Sequence, residues 1–204
     1  MCLLLNDHKE EQMKMIQLKM VFFAAIVSAF MACNKKADAI LFEDKTTAIK
    51  ADKTGWTVTA SSEELTGEGA VNGRAARVVD GNIATYWHSK YTGGAVPFPH
   101  WLIIDMKKAN KLVTVDLTAR HNNNNGMTKF KVEGSVDGTN WTNIGITATN
   151  TTGELTFAPA NKTAQAFSVS SATAYQYIRI TALQGPLVTT ATTHLAEVDV
   201  LIKK

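Results

Sequence analysis

The chain has 204 residues, 45% of them hydrophobic and 19% charged, with a net charge of +3. So small and unclustered a positive charge argues against nucleic acid as a partner. The only cysteines are Cys2 and Cys33, so the chain beyond residue 33 can supply no disulfide, thiolate zinc site or cysteine nucleophile.

Lys14 and Lys19 precede an apolar run from Met20 to Ala32 that ends at Cys33. The run is shorter than the roughly 20 apolar residues a membrane span needs, but it suits the core of a signal peptide. The sequence F-M-A-C, with small Ala32 before Cys33, looks like a loose bacterial lipobox. Residues 1–32 are therefore expected to be a leader and lipoprotein signal peptide, with lipid on Cys33 and the protein anchored in the cell envelope, at the outer membrane. The alternative is an ordinary signal peptide with an incidental cysteine. Residues 1–12 place acids ahead of the run, which makes Met13 or Met15 the more natural start. Residues 33–55 are charged and poor in Gly and Pro, and read as a tether in which residues 40–42 (I-L-F) dock locally.

From residue 56 to 204 the hydrophobic period is two. Val113, Val115 and Leu117 alternate with Thr114, Asp116 and Thr118, Phe130 and Val132 flank Lys131, and Ile178 and Ile180 flank Arg179. Such alternation marks strands with one buried face. Further strands are predicted at 56–61, 101–105, 142–148, 153–157, 165–169 and 194–201, with a short helical turn within 69–79. Short strands punctuated by D-G-T-N (137–140) and N-N-N-N-G (122–126) predict an all-β sandwich or barrel, large enough at about 150 residues to hold one core. Trp87, Trp101 and Trp141 are expected in that core and Trp56, at the domain's opening, partly exposed. His100 reads as structural, and His121 and His194 as loop residues.

The richest stretch is D-G-N-I-A-T-Y-W-H-S at 80–89. It sets Asp80, Asn82 and Thr85 on a tight turn, and these are the oxygen ligands a hard cation such as Ca²⁺ prefers. A surface turn ahead of a core tryptophan is the plainer reading. More than a hundred residues later, Glu197 lies in the final strand-like run (194–202, H-L-A-E-V-D-V-L-I). It either faces solvent or supplies the remote carboxylate of a cation site.

These two stretches, together with 99–105 (P-H-W-L-I-I-D), 115–120 (V-D-L-T-A-R), 134–141 (G-S-V-D-G-T-N-W) and 177–180 (Y-I-R-I), resemble the discoidin-like, or coagulation factor V/VIII C-type, domains. The likeness covers roughly 56–204 and is nearest to the bacterial carbohydrate-binding modules of that superfamily. It implies an eight-stranded jelly-roll β-sandwich with a structural Ca²⁺. The implied ligands are the carboxylates of Asp80 and Glu197, the hydroxyl and carbonyl of Thr85, and the carbonyls of Arg77, Asn82 and Ala196. It further implies non-catalytic binding of a galactose-type or related glycan, with His88, Arg120 and Asn125 reaching hydroxyls and Tyr91 stacking on the sugar. Glu63 and Glu68 stand on another loop of the same end. On this reading Arg120 and Tyr91 touch ligand only, so losing either costs binding and not stability; the plainer alternative is that Arg120 pairs with a neighbouring acid and that Asn122 to Asn125 are turn-formers. Two departures stand out: Leu187 lies where relatives often carry a second aromatic, and M-K-K (106–108) replaces a usual Leu-Gly. The acids are scattered and form no glycosidase pair, so an enzyme is not expected. Partner proteins of a glycan-utilisation system go with the glycan reading. The rival class is an adhesion or assembly module that binds a protein or phospholipid surface through Phe98, Leu187 and Val188, although Lys and Arg are not gathered around them.

Overall fold

The computed structural model describes residues 48–169, 172–187, 189 and 191–204. The leader, Cys33 and the tether as far as Thr47 lie outside the described residues. The described chain forms twelve strands and one 3-10 helix: β1 (Ala48–Lys50), β2 (Thr57–Ala60), the 3-10 turn (Ala75–Val79), β3 (Trp87–His88), β4 (His100–Asn110), β5 (Leu112–Thr118), β6 (Lys129–Ser135), β7 (Thr142–Asn143), β8 (Glu154–Thr156), β9 (Gln165–Ser168), β10 (Tyr175–Gln184), β11 (His194–Leu195) and β12 (Glu197–Lys203). One sheet runs β1-β12-β5-β9 and the other β2-β4-β10-β6-β7, with β8 on β6; β11 and β3 form a two-residue pair. Every pairing of these strands is antiparallel. The antiparallel sandwich is thus observed, with short strands supplementing the long ones and the helical turn falling inside 69–79.

Alternation sets the core. His100, Leu102, Ile104 and Met106 of β4, Phe130 and Val132 of β6, and Ile178, Ile180 and Ala182 of β10 point inward against Val115, Leu117, Val198 and Val200 of the smaller sheet. Phe130 meets Phe167 edge-on at 4.8 Å between ring centroids. Trp87 is 2% exposed and donates its indole N–H to the Ser62 carbonyl at 2.9 Å.

Several expectations are corrected. Trp101 and Trp141 are half-buried and not core residues. On β4 the even-numbered residues face inward, which turns Trp101 outward, and Trp141 lies beneath the Arg179 guanidinium, 4.5 Å from its ring centroid. Trp56 is buried. The domain begins at or before residue 48 and not at 56: Ala48 pairs with Lys203, Ala51 is buried, and the Ala51 N–H donates to the Val200 carbonyl. His194 belongs to a strand and is buried. The M-K-K departure lies within β4, where Lys107 takes a left-handed φ of 63°.

Candidate functional site

Three loops meet at one end of the sandwich, and a single carboxylate ties two of them together. Glu64 is 1% exposed. Its Oε1 accepts the Thr66 N–H and hydroxyl and the Gly67 N–H; its Oε2 accepts the Tyr91 and Thr92 N–H groups at 2.9 and 2.7 Å. The Thr92 N–H, with those of Gly67 and Tyr91, holds the carboxyl far below the usual carboxylate range against the opposing effect of burial. The backbone is equally constrained. A Cβ on Gly73, which has a φ of 86°, would strike the Glu64 carbonyl, and one on Gly67 would strike the Tyr91 hydroxyl. Tyr91 therefore lies flush on the Glu64 loop and stays 37% exposed.

Beside this hub, Glu68 gathers the remaining groups. Arg120 Nη1 is 3.0 Å from Glu68 Oε1, and the Tyr86 hydroxyl donates to Glu68 Oε2 at 2.5 Å. The guanidinium lies 3.8 Å above the Tyr86 ring, and its Nε donates to Asn122 Oδ1 at 2.7 Å. Burial pushes the Glu68 carboxyl up, but the Tyr86 hydroxyl and the Arg120 guanidinium bring it below its usual value. Burial, reinforced by Glu68, pushes the Tyr86 phenol up to about 12. His88 is buried, and its Nδ1 lies 2.6 Å from the Ser89 carbonyl, which assigns the proton to Nδ1 and leaves Nε2 an acceptor. Burial lowers its pKa, which favours the neutral ring. Its Nε2 faces Glu68 Oε1 at 3.8 Å, too far for a direct hydrogen bond; both atoms are acceptors, so two neighbouring hydroxyls, one donating to each, match the pair. The Tyr91 ring meets His88 edge-on at 4.9 Å.

His88, Tyr91 and Arg120 are thus brought together, with Glu68 at their centre. Asn125 is exposed on the Arg120 loop, where its N–H donates to Asn123 Oδ1; among the described residues no hydrogen bond joins its side chain to the other three. Glu63 accepts the Ala75 N–H and braces the 3-10 turn. The expectation that Arg120 touches ligand only is corrected, because its side chain is 11% exposed and paired with a carboxylate 9% exposed.

The oxygen-rich loop lies next to this end. Thr85 Oγ1 is 3.0 and 2.8 Å from the two Asp80 oxygens and 2.8 Å from the Asn82 carbonyl. One hydroxyl has one proton, so at most one of these three acceptors receives it in full. Asp80 Oδ1 also takes the Asn82 N–H, and Arg77 reaches Asp80 Oδ2 only at 3.4 Å. Glu197 is 3% exposed; Lys53 Nζ contacts its Oε1, while its Oε2 is buried without a hydrogen-bond partner. Burial raises its pKa, Lys53 opposes the rise, and the charges of Asp199 and Asp80 add to it. Ala196, fully buried, joins β11 to β12 immediately before it. The crowded oxygens of the Asp80 loop and the orphaned buried Oε2 of Glu197 are the oxygen types a hard divalent cation takes, although among the described residues no three His, Cys, Asp or Glu side chains cluster to hold one.

The sequence pattern missed Tyr86, Glu64 and Lys53. The one legible signal for Glu64 was a carboxylate two and three residues ahead of Thr66 and Gly67, the offset at which it can accept turn N–H groups. Leu187 is 64% exposed and, with Pro97, Phe98, Leu183 and Ala191, lines a cleft of about 460 Å³.

Residues 57–197 match the family model of the F5/8 type C domain. Among solved structures, the chain is similar to the C-terminal domain of a chitobiase from Bacteroides fragilis, with 34% identity, a TM-score of 0.64, and 74% of this chain and 96% of that one covered. It is also similar to the family 32 carbohydrate-binding module of NanJ from C. perfringens, solved with galactose, with 27% identity, a TM-score of 0.59, and 76% and 98% covered. A sialidase of Micromonospora viridifaciens is 32% identical over 82 residues, a match that spans 39% of this chain and 12% of the sialidase. The chain belongs to the F5/8 type C domain family, and its structural neighbours are bacterial carbohydrate-binding modules of family 32.

Proposed function

We propose that this domain binds a galactose-type or related glycan without chemical turnover, through His88, Arg120, Glu68 and the face of Tyr91, with Asn125 at the rim. The observation that carries the reading is the meeting of a bare imidazole acceptor, a guanidinium and a carboxylate within 3.0–3.8 Å beside an exposed aromatic ring. Adjacent sugar hydroxyls each donate and accept, so they match an acceptor–donor–acceptor set, while the ring covers the sugar's C–H face. The NanJ module, solved with galactose, supports the class of ligand. The test is a glycan array on the protein followed by titration of the best sugar. Tyr91→Ala should weaken binding about fivefold, since aromatic contact is worth roughly 1 kcal/mol. It should shift the melting temperature little, because Tyr91 is 37% exposed. Binding at wild-type strength by Tyr91→Ala would place the ligand elsewhere.

We further propose that the donor set of Asp80, Thr85 and Glu197, with the carbonyls of Arg77, Asn82 and Ala196, holds a structural Ca²⁺. Bound there, the ion would neutralise the two carboxylates and brace the loop ahead of Trp87. Chelation should then lower the melting temperature. A ligand at one hundred times its Kd contributes about 2.7 kcal/mol, or roughly 5–10 °C for a domain of this size. Asp80→Ala should remove the response. A protein that carries no metal and ignores chelator overturns the assignment.

A second reading, docking to a protein or phospholipid surface, rests on exposed Leu187 beside its apolar cleft. Vesicles of anionic phospholipid, run beside the array, separate the two: this reading requires vesicle binding that Leu187→Asp removes.

A further inference from the structure

The loop from Ala119 to Thr128 carries Arg120 and Asn125, yet among the described residues no backbone–backbone hydrogen bond braces 120–126. Its local ties are short-range: Arg120 Nε to Asn122 Oδ1, and the Asn125 N–H to Asn123 Oδ1. Four successive asparagines (122–125) tolerate many turn conformations and select none. The Met127 and Thr128 N–H groups pin the far end of the loop to Thr193 Oγ1 and the Gln184 carbonyl, and the Arg120 side chain reaches Glu68; the backbone of 120–123 has one further long-range tie. Lys162 Nζ lies 2.8 Å from the Arg120 carbonyl, 2.8 Å from the Asn123 carbonyl and 2.6 Å from the Pro159 carbonyl. An ammonium has three N–H donors and no acceptor, so the cage of three carbonyls uses it fully. Two of those carbonyls belong to the ligand loop, and one is the backbone of Arg120 itself.

We propose that Lys162 is a positioning residue for the ligand site, its ammonium holding residues 120–123 in the single arrangement that aims the Arg120 guanidinium at Glu68. The assignment rests on the carbohydrate reading of the site. Lys162 touches no ligand; it acts by keeping the binding-competent loop populated. When only a fraction of molecules is competent, apparent affinity falls by that fraction. The loss then appears in association, while the dissociation rate of the complex once formed is unchanged.

The experiment compares wild type and Lys162→Met by surface-bound kinetics, with the best sugar from the array, at a temperature where both are folded. Lys162→Met keeps the stem and removes the donors. An affinity about tenfold weaker, carried by the association rate, is the expected result, together with faster amide exchange at residues 121–125 and unchanged exchange in β10. Equal affinity, or a loss confined to dissociation, overturns the assignment. If the variant does not fold, the wild-type protein still decides through nitrogen NMR of its lysines. The Lys162 Nζ protons should exchange far more slowly than those of exposed Lys90 and Lys108; no protection overturns the cage. A wild type that binds no sugar on the array defeats the site reading and this assignment together. A wild type that binds, and loses binding in Tyr91→Ala but not in Lys162→Met, defeats this assignment alone.

Discussion

Arg120→Leu is expected to abolish sugar binding and to destabilise the fold by about 3–5 kcal/mol, the usual cost of leaving one partner of a buried ion pair uncompensated. Glu68, 9% exposed, would lose the guanidinium at 3.0 Å, and Tyr86 would lose the cation stacked on its ring. A drop of roughly 10 °C in melting temperature follows for a domain of this size. Loss of binding in that variant alone therefore cannot separate recognition from collapse. The double variant Arg120→Leu with Glu68→Leu does so, because replacing both ions with apolar groups of similar size is often near neutral. Denaturant unfolding of the four-member cycle should show the double variant recovering most of the stability lost in Arg120→Leu. Sugar titration should show no recovery at all. If the double variant is as unstable as the sum of the singles, the pair is not coupled as its geometry requires. If it still binds sugar, the site does not use these side chains.

Glu64→Gln is the second change with a large effect, and it should act on stability, acid sensitivity and binding together. The carboxylate accepts five N–H or O–H donors from two loops. A glutamine amide presents one oxygen to one loop and sets its own N–H donors against the other. At pH 7 the variant should melt well below wild type and release the 91–92 segment, so that Tyr91 loses its seat on Gly67 and sugar affinity falls. The pH dependence has a definite sign. The folded pKa of Glu64 lies below its unfolded value of about 4.5, so the unfolded chain binds the proton first as pH falls. The stabilisation is complete above pH 4.5 and declines as the pH drops toward the folded value. Melting curves between pH 7 and 3 should therefore slope steeply in wild type and less steeply in Glu64→Gln. Parallel curves would mean that Glu64 is no hub.

How far the sequence could be read follows from the range of each interaction. Period-two alternation in 113–118 and around Ile178 and Ile180 marks strands directly, since neighbouring residues decide which face is wet. The family motifs located the Asp80 loop, Glu197, His88 and Arg120. Strand phase was harder: Trp101 looks like a core residue until Leu102 and Ile104 are seen to take the inward positions. The domain boundary was misread because Ala48–Lys50 becomes a strand only by pairing with residues 201–203. The contacts hardest to read join distant side chains, such as Lys53 to Glu197, or a side chain to backbone, such as Lys162 to the carbonyls of Arg120 and Asn123. A backbone acceptor leaves no mark in residue identity.

The pairing of β1 with β12 also decides which way the molecule points. Ala48 stands beside Lys203, whereas Glu197, at the other end of β12, stands beside Thr118, two residues ahead of Arg120. Seven residues of extended chain separate those ends by about 20 Å. The start of the first described strand and the end of the last therefore share one pole, and the loops carrying Glu68, His88 and Arg120 crown the opposite one. A bulky group fused after Lys204 would sit at that shared pole, leaving the loops of Glu68, His88 and Arg120 unobstructed.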